Sequence, residues 1–125
     1  MTSMFFSVPF VAGKQRPRFV NGRAHKTDTE RIREEAVALA FEEAGGACAP
    51  PGMPVMVSIQ AHKSRKGHDG EPFTGKPDAD NIVKLVLDAL NGKAWHDDSQ
   101  VTSINVNKLA YAAFDQISVG IVWRD

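Results

Sequence analysis

Five aspartates, Asp78, Asp80, Asp88, Asp97 and Asp98, fall within a 21-residue window, and Lys84 stands one helical turn beyond Asp80. Carboxylates that converge on one pocket repel each other, and a hard divalent cation held by oxygen ligands is the usual remedy. Magnesium suits this set better than zinc. Cys48 is the single cysteine, and His25, His62, His68 and His96 show no tight ligand spacing, which leaves His96, beside Asp97, as a minor contributor. The chemistry such a site suggests is phosphodiester hydrolysis. The cation would polarise a phosphoryl oxygen and lower the pKa of a bound water, while Lys84 would stabilise charge developing on the phosphate or orient the water. The chain has no glycine-rich phosphate loop, no G-x-S-x-G elbow and no supported Cys/His pair, so the other common chemistries lack a motif.

These acids need a helix and a strand to position them. From Lys76 to Asn91 the polar residues Asp80, Asn81, Lys84, Asp88 and Asn91 lie within about 100° on a helical wheel, while Ile82, Val83, Leu85, Val86, Leu87, Ala89 and Leu90 fill the remaining arc. This predicts a largely buried helix with one narrow polar stripe. Helix-start preferences and the Asp80 to Lys84 spacing explain part of that stripe by local rules alone. They do not explain Asp97-Asp98, which precede an apolar strand expected to return alongside the helix.

The remaining elements follow from periodicity. Met4, Phe6 and Val8 share one side of an N-terminal strand, and Asn21-Gly22 turns a basic hairpin carrying Arg16, Arg18 and Arg23. Thr27 and Glu30 form a capping box for a helix over about 28–44, with Ile32, Ala36, Leu39 and Ala40 on its apolar face, Phe41 pointing away and Gly45-Gly46 at its end. Val55, Val57, Ile59 and Ala61 alternate with polar or exposed positions, the period of a half-buried strand. A polar stretch from His62 to Pro77 has no periodicity and reads as mobile or ordered by a ligand. Val101 to Tyr111 and Ile117 to Trp123 are two further strands joined by a short turn. The order β, β-hairpin, α, β, α, β, β predicts an α+β fold, with a mixed β-sheet and two main helices in a single domain over 1–125.

Composition narrows the setting. With 125 residues, 42% of them apolar, the chain can bury one core without disulfides or a structural metal. Nothing approaches a membrane span or a secretory signal, so a cytoplasmic protein with no membrane contact is expected. The 15 basic and 15 acidic residues cancel, but they are segregated: Lys14, Arg16, Arg18, Arg23 and Lys26 precede the first acid, and Lys63, Arg65 and Lys66 form a second cluster. A basic surface for phosphates around an acidic pocket for cations is the reading this favours.

The motif Asp78-Ala-Asp80-Asn81-x-x-Lys84-x-x-x-Asp88-Ala-Leu-Asn91, followed by Asp97-Asp98-Ser-Gln100-Val101, resembles the signature of the RusA family of Holliday junction resolvases, and the likeness extends to the Gly13-Lys-Gln-Arg-Pro-Arg18 segment of phage and prophage members. The resemblance implies a small homodimeric endonuclease that uses Mg²⁺, with Mn²⁺ as a substitute and no small-molecule cofactor, and that nicks four-way DNA junctions in pairs. It implies Asp78, Asp80 and Asp98 as metal-binding carboxylates, with Asp97 as the alternative to its neighbour, and Lys84 as the catalytic lysine. Asp88 and Asn81 become supporting residues. Lys14, Arg16, Arg18, Arg23, Lys63, Arg65, Lys66 and Lys76 are the candidate DNA contacts, since only Lys76-Pro77 stand where some relatives carry a dense arginine run, and His68 joins the loop residues that could replace it. Phe41, Phe73 and the exposed side of the first helix are candidates for the dimer interface, and Phe73 for a wedge between unstacked bases. A fork or flap nuclease and a silent DNA-binding protein with a structural cation are the competing readings.

Overall fold

The computed structural model describes residues 1–14, 18–25 and 27–125, the stretches 18–20 and 24–25 as backbone only. Its elements in chain order are strand β1 (Thr2–Val8), the short strands β2 (Arg18–Val20) and β3 (Arg23–His25), helix α1 (Asp28–Glu43), strand β4 (Val55–Ser64), helix α2 (Ala79–Leu90), a 3-10 turn at Asp98–Gln100, and strands β5 (Val101–Ala112) and β6 (Gln116–Trp123). This is the α+β order expected.

Four strands form one mixed sheet in the order β1-β6-β4-β5, and β2 pairs with β3 as a separate hairpin. Its turn uses Asn21 at φ 52° and Gly22 at φ 77°, the two left-handed positions that an Asn-Gly pair tolerates. β4 pairs parallel to β5 and antiparallel to β6. The short 113–115 connection therefore does not close a hairpin: it crosses the end of β4, where the Asp115 carboxylate accepts from the backbone N–H and the hydroxyl of Ser64 at 2.7 and 2.9 Å.

Alternation puts Phe6 and Val8 of β1, Val55, Val57, Ile59 and Ala61 of β4, and Ile117, Val119, Ile121 and Trp123 of β6 on one buried face. Ile82, Leu85, Val86, Ala89 and Leu90 of α2 are buried in turn, leaving Asp80, Lys84, Asp88 and Asn91 exposed along one stripe. Among the described residues no helix is long and apolar enough to cross a membrane.

α1 corrects the expected packing. Thr27 caps it by accepting from the Glu30 N–H at 3.1 Å, but the face turned inward carries Glu30, Glu34, Val37, Ala38 and Phe41. Ile32 and Leu39 are 66% and 53% exposed. Phe41, expected to point outward, is buried edge-on against Phe6 with ring centroids 6.1 Å apart, so it cannot serve a dimer interface. The cause is Lys14. Its ammonium lies 3.3 Å from Glu30 and 3.7 Å from Glu34 and contacts Asp88 of α2, so two glutamates can be buried where periodicity alone would expose them.

The stretch after β4 also differs from expectation, because protein contacts rather than a ligand hold it. β4 itself runs to Ser64. Beyond it, the Tyr111 N–H donates to the Glu71 carbonyl and the Gly70 N–H to the Tyr111 carbonyl, each at 2.9 Å, and Lys108 Nζ donates to the Gly75 carbonyl at 2.6 Å. Phe73 is 4% exposed, against the Tyr111 ring and under the Lys108 ammonium. A side chain so enclosed is loop packing and is neither a wedge nor an interface residue.

Candidate active site

A parallel pair of strands joined through a helix fixes where each end of that helix lies. β4 leads into the loop that opens α2; α2 then runs back and delivers the chain to the start of β5. Lys63, near the end of β4, donates from Nζ to the Lys76 carbonyl at 3.0 Å and so ties the strand's last turn to the entry of α2. At the other end the Gln100 side-chain amide donates to the carbonyls of Pro50 and Met53, just ahead of β4, at 2.8 and 3.1 Å.

Asp78 occupies the N-cap position of α2 without a side-chain capping bond, and Asp80 lies in the first turn. Both carboxylates are exposed and each has a lysine. Lys76 Nζ donates to the two Asp78 oxygens at 3.1 Å, and Lys84 Nζ is 3.7 Å from Asp80. The backbone of Lys14 docks on the same turn: its N–H donates to the Asn81 carbonyl at 2.9 Å, and a Cβ at Gly13 would stand 2.7 Å from Asn81 Cβ, so glycine is needed for this approach.

Asp98 is elsewhere. It opens the 3-10 turn beyond the C-terminus of α2 and accepts from the Trp95 indole N–H at 2.7 Å. Asp97 caps that turn by accepting from the Ser99 N–H at 3.0 Å, and hydrogen bonds from the Ser99 side chain and backbone hold its carboxyl below the usual range. Gln100 completes the box, its Oε1 accepting from the N–H groups of His96 and Asp97 at 2.8 and 3.1 Å. The two aspartates thus separate into a cap, Asp97, and a carboxylate beside an indole, Asp98. Among the described residues this pair forms no group with Asp78 and Asp80 that could hold a metal ion within one chain.

Among the described residues no group of three or more His, Cys, Asp or Glu side chains is placed to hold a metal ion. One chain offers two exposed carboxylates at the entry of α2 and a third at its exit. The donors suit a hard cation, but a single chain does not complete a site for it.

The candidate DNA contacts divide as well. Arg16 lies outside the described residues, as does the side chain of Arg18. Lys14 is a correction, since its ammonium is occupied by Asp88, Glu30 and Glu34; although burial alone would lower its pKa, those carboxylates raise it above the ordinary lysine value. Asp88 accordingly joins the two helices through Lys14, and it is Asn81's backbone that supports the site. His68 is paired with Glu71 at 2.6 Å. Arg23 and Lys66 are exposed, Arg65 lies 5.5 Å from the Tyr111 ring centroid, and Lys63 and Lys76 line the clefts beside Asp78.

The sequence profile described as endodeoxyribonuclease RusA matches residues 9–122. The chain belongs to the RusA endodeoxyribonuclease family. The uncharacterized protein YqaN of Bacillus subtilis (strain 168) is 33% identical over 118 residues, 82% of each chain. RusA membership makes the chain a DNA nuclease in a family whose enzymes generally depend on a divalent cation.

One feature of this chain was missed by sequence reasoning. Arg33 of α1 borders the same cleft as Asp78. It sits in a helix whose other charges are mostly acidic, 45 positions from Asp78, and only the fold brings the two together.

Proposed function

We propose that this protein is a homodimeric, Mg²⁺-dependent endonuclease that resolves four-way DNA junctions by paired phosphodiester hydrolysis, acting in recombination and repair in the cytoplasm. The observation that carries the reading is the gathering of Asp78, Asp80, Lys84, Lys76 and Lys63 where β4 ends and α2 begins, beside open basic clefts. Asp78 and Asp80 would hold the cation there, and a bound divalent ion supplies Lewis-acid polarisation of a phosphate and a more acidic water. Lys84, exposed one turn along, is free to move from Asp80 to a developing phosphate charge.

The position of Asp98 supports the dimer. A third carboxylate that one chain cannot bring to Asp78 and Asp80 can be supplied by Asp98 of a partner subunit, and a two-fold assembly would then carry two equivalent sites for the two opposed strands of a junction. Cleavage of an end-labelled mobile four-way junction, a replication fork and a linear duplex, with Mg²⁺ and with Asp80→Asn as control, tests the proposal. Symmetric nicks in the junction, lost in the variant, are expected. Preferential cutting of the fork reassigns the substrate, and binding without cleavage by the wild type rejects the nuclease reading.

A further inference from the structure

Arg33 is half-buried on α1, and among the described residues its guanidinium has no hydrogen bond or ion pair. It lines a cleft of about 290 Å³ with Lys63, Lys76 and Asp78. An unpaired, partly desolvated guanidinium is costly, and this group presents a planar fork of donors that matches phosphate oxygens two at a time. Of the other charges around the cleft, Lys14, Lys76 and Asp78 are already engaged. Lys14 is held by three carboxylates, and Lys76 covers both oxygens of Asp78, which removes most of the repulsion an anion would meet there.

Lys63 has donors to spare beyond its one bond to the Lys76 carbonyl. It and Lys76 also line a second cleft, of about 280 Å³, with Arg65 and Tyr111. Two adjoining clefts that share two cations form a track, which suits a chain of phosphates better than a lone anion. We infer that the Arg33 cleft binds a backbone phosphate of the DNA strand, next to the one attacked at Asp78 and Asp80, with Arg33 as its bidentate ligand and Lys63 as the cation shared with the next phosphate.

This inference rests on the proposed DNA-cleaving function, and the test separates the two. Binding of a four-way junction is measured without divalent ions, across a range of KCl, for wild type, Arg33→Ala and Arg33→Lys; cleavage with Mg²⁺ is measured alongside. Arg33→Ala is expected to bind about tenfold more weakly at low salt, with the log–log salt slope reduced by about one, the signature of one lost phosphate contact. Arg33→Lys is expected to keep the slope, which a purely packing role would not require. Equal affinity and slope for wild type and Arg33→Ala overturn the phosphate cleft, whether or not the wild type cleaves. A wild type that binds with the expected Arg33 dependence but never cleaves overturns the nuclease reading alone, and a wild type that binds no DNA overturns both.

Discussion

Asp78 occupies the N-cap position of α2 and Asp98 opens the 3-10 turn beyond its other end, so within one chain the 12 residues of the helix, about 18 Å long, run between the two. In the proposed dimer, a metal site that uses both would draw them from two subunits. Co-expression of Asp80→Asn with Asp98→Asn chains is the corresponding test. Each variant alone is expected to be inactive. In a mixed dimer one site carries both substitutions and the other carries neither, so random pairing should restore about a quarter of the wild-type sites under two-fold symmetry. Those dimers should nick a junction once without the paired cut. No restored nicking would show that the sites do not cross the subunits.

Lys14 should behave as an architectural residue. Lys14→Met removes the cation facing buried Glu30 and Glu34 and is expected to cost about 2 kcal/mol, less than the roughly 3–5 kcal/mol of a fully buried pair because the ammonium is partly solvated. The pKa of Lys14 is raised above 10.5 in the folded protein, so its contribution is complete below that value and is lost as pH rises through the folded pKa. Urea titrations from pH 8 to pH 11.5 should show a constant gap between wild type and variant that closes only at the alkaline end. A gap already absent at pH 8 would contradict the ion-pair hub.

The legible parts of this molecule are those where one period dominates. β4 alternates Val55, Val57, Ile59 and Ala61, and α2 confines its polar residues to one stripe, so the faces of both are legible in the sequence. α1 was legible as a helix and illegible as a surface. Its inward face contains two glutamates whose burial depends on Lys14, a residue distant in sequence, and no local pattern reports such a pairing. Asp97-Asp98 show the same limit: the block stood out, but its place beside the start of β4, away from the entry of α2, follows from the parallel pairing of β4 with β5, and parallel pairing is a property of the whole sheet. Arg33 was invisible for that reason too.

Phe73 provides a further check on the loop between β4 and α2. Its ring is enclosed by Tyr111 and Lys108, so Phe73→Ala should destabilise the protein by about 3 kcal/mol and loosen the segment that carries Lys76. Thermal unfolding measures the first effect and amide exchange at Gly70 and Tyr111 the second. Unchanged stability together with loss of junction bending would instead restore the base-wedge role that burial argues against.

The block Asp97-Asp98-Ser99-Gln100 should divide by substitution into architecture and chemistry. Gln100 is buried and satisfies four backbone groups, two of them in the 50–53 connection, so Gln100→Leu strands those groups and is expected to cost about 2–3 kcal/mol. Asp97→Ala removes a cap at the surface and should lower the unfolding temperature only slightly, with cleavage retained. Because hydrogen bonds hold the Asp97 carboxyl below 3.8, the cap's contribution is present above that pH and fades as the carboxylate is protonated in more acid solution, so the difference between wild type and Asp97→Ala should shrink there. Asp98→Asn keeps an acceptor for the Trp95 indole N–H and should unfold like the wild type, yet it should abolish cleavage and weaken Mn²⁺ binding measured by calorimetry. Full cleavage by Asp98→Asn, with loss of cleavage in a stably folded Asp97→Ala, would exchange the two assignments and move the third carboxylate one residue along the chain.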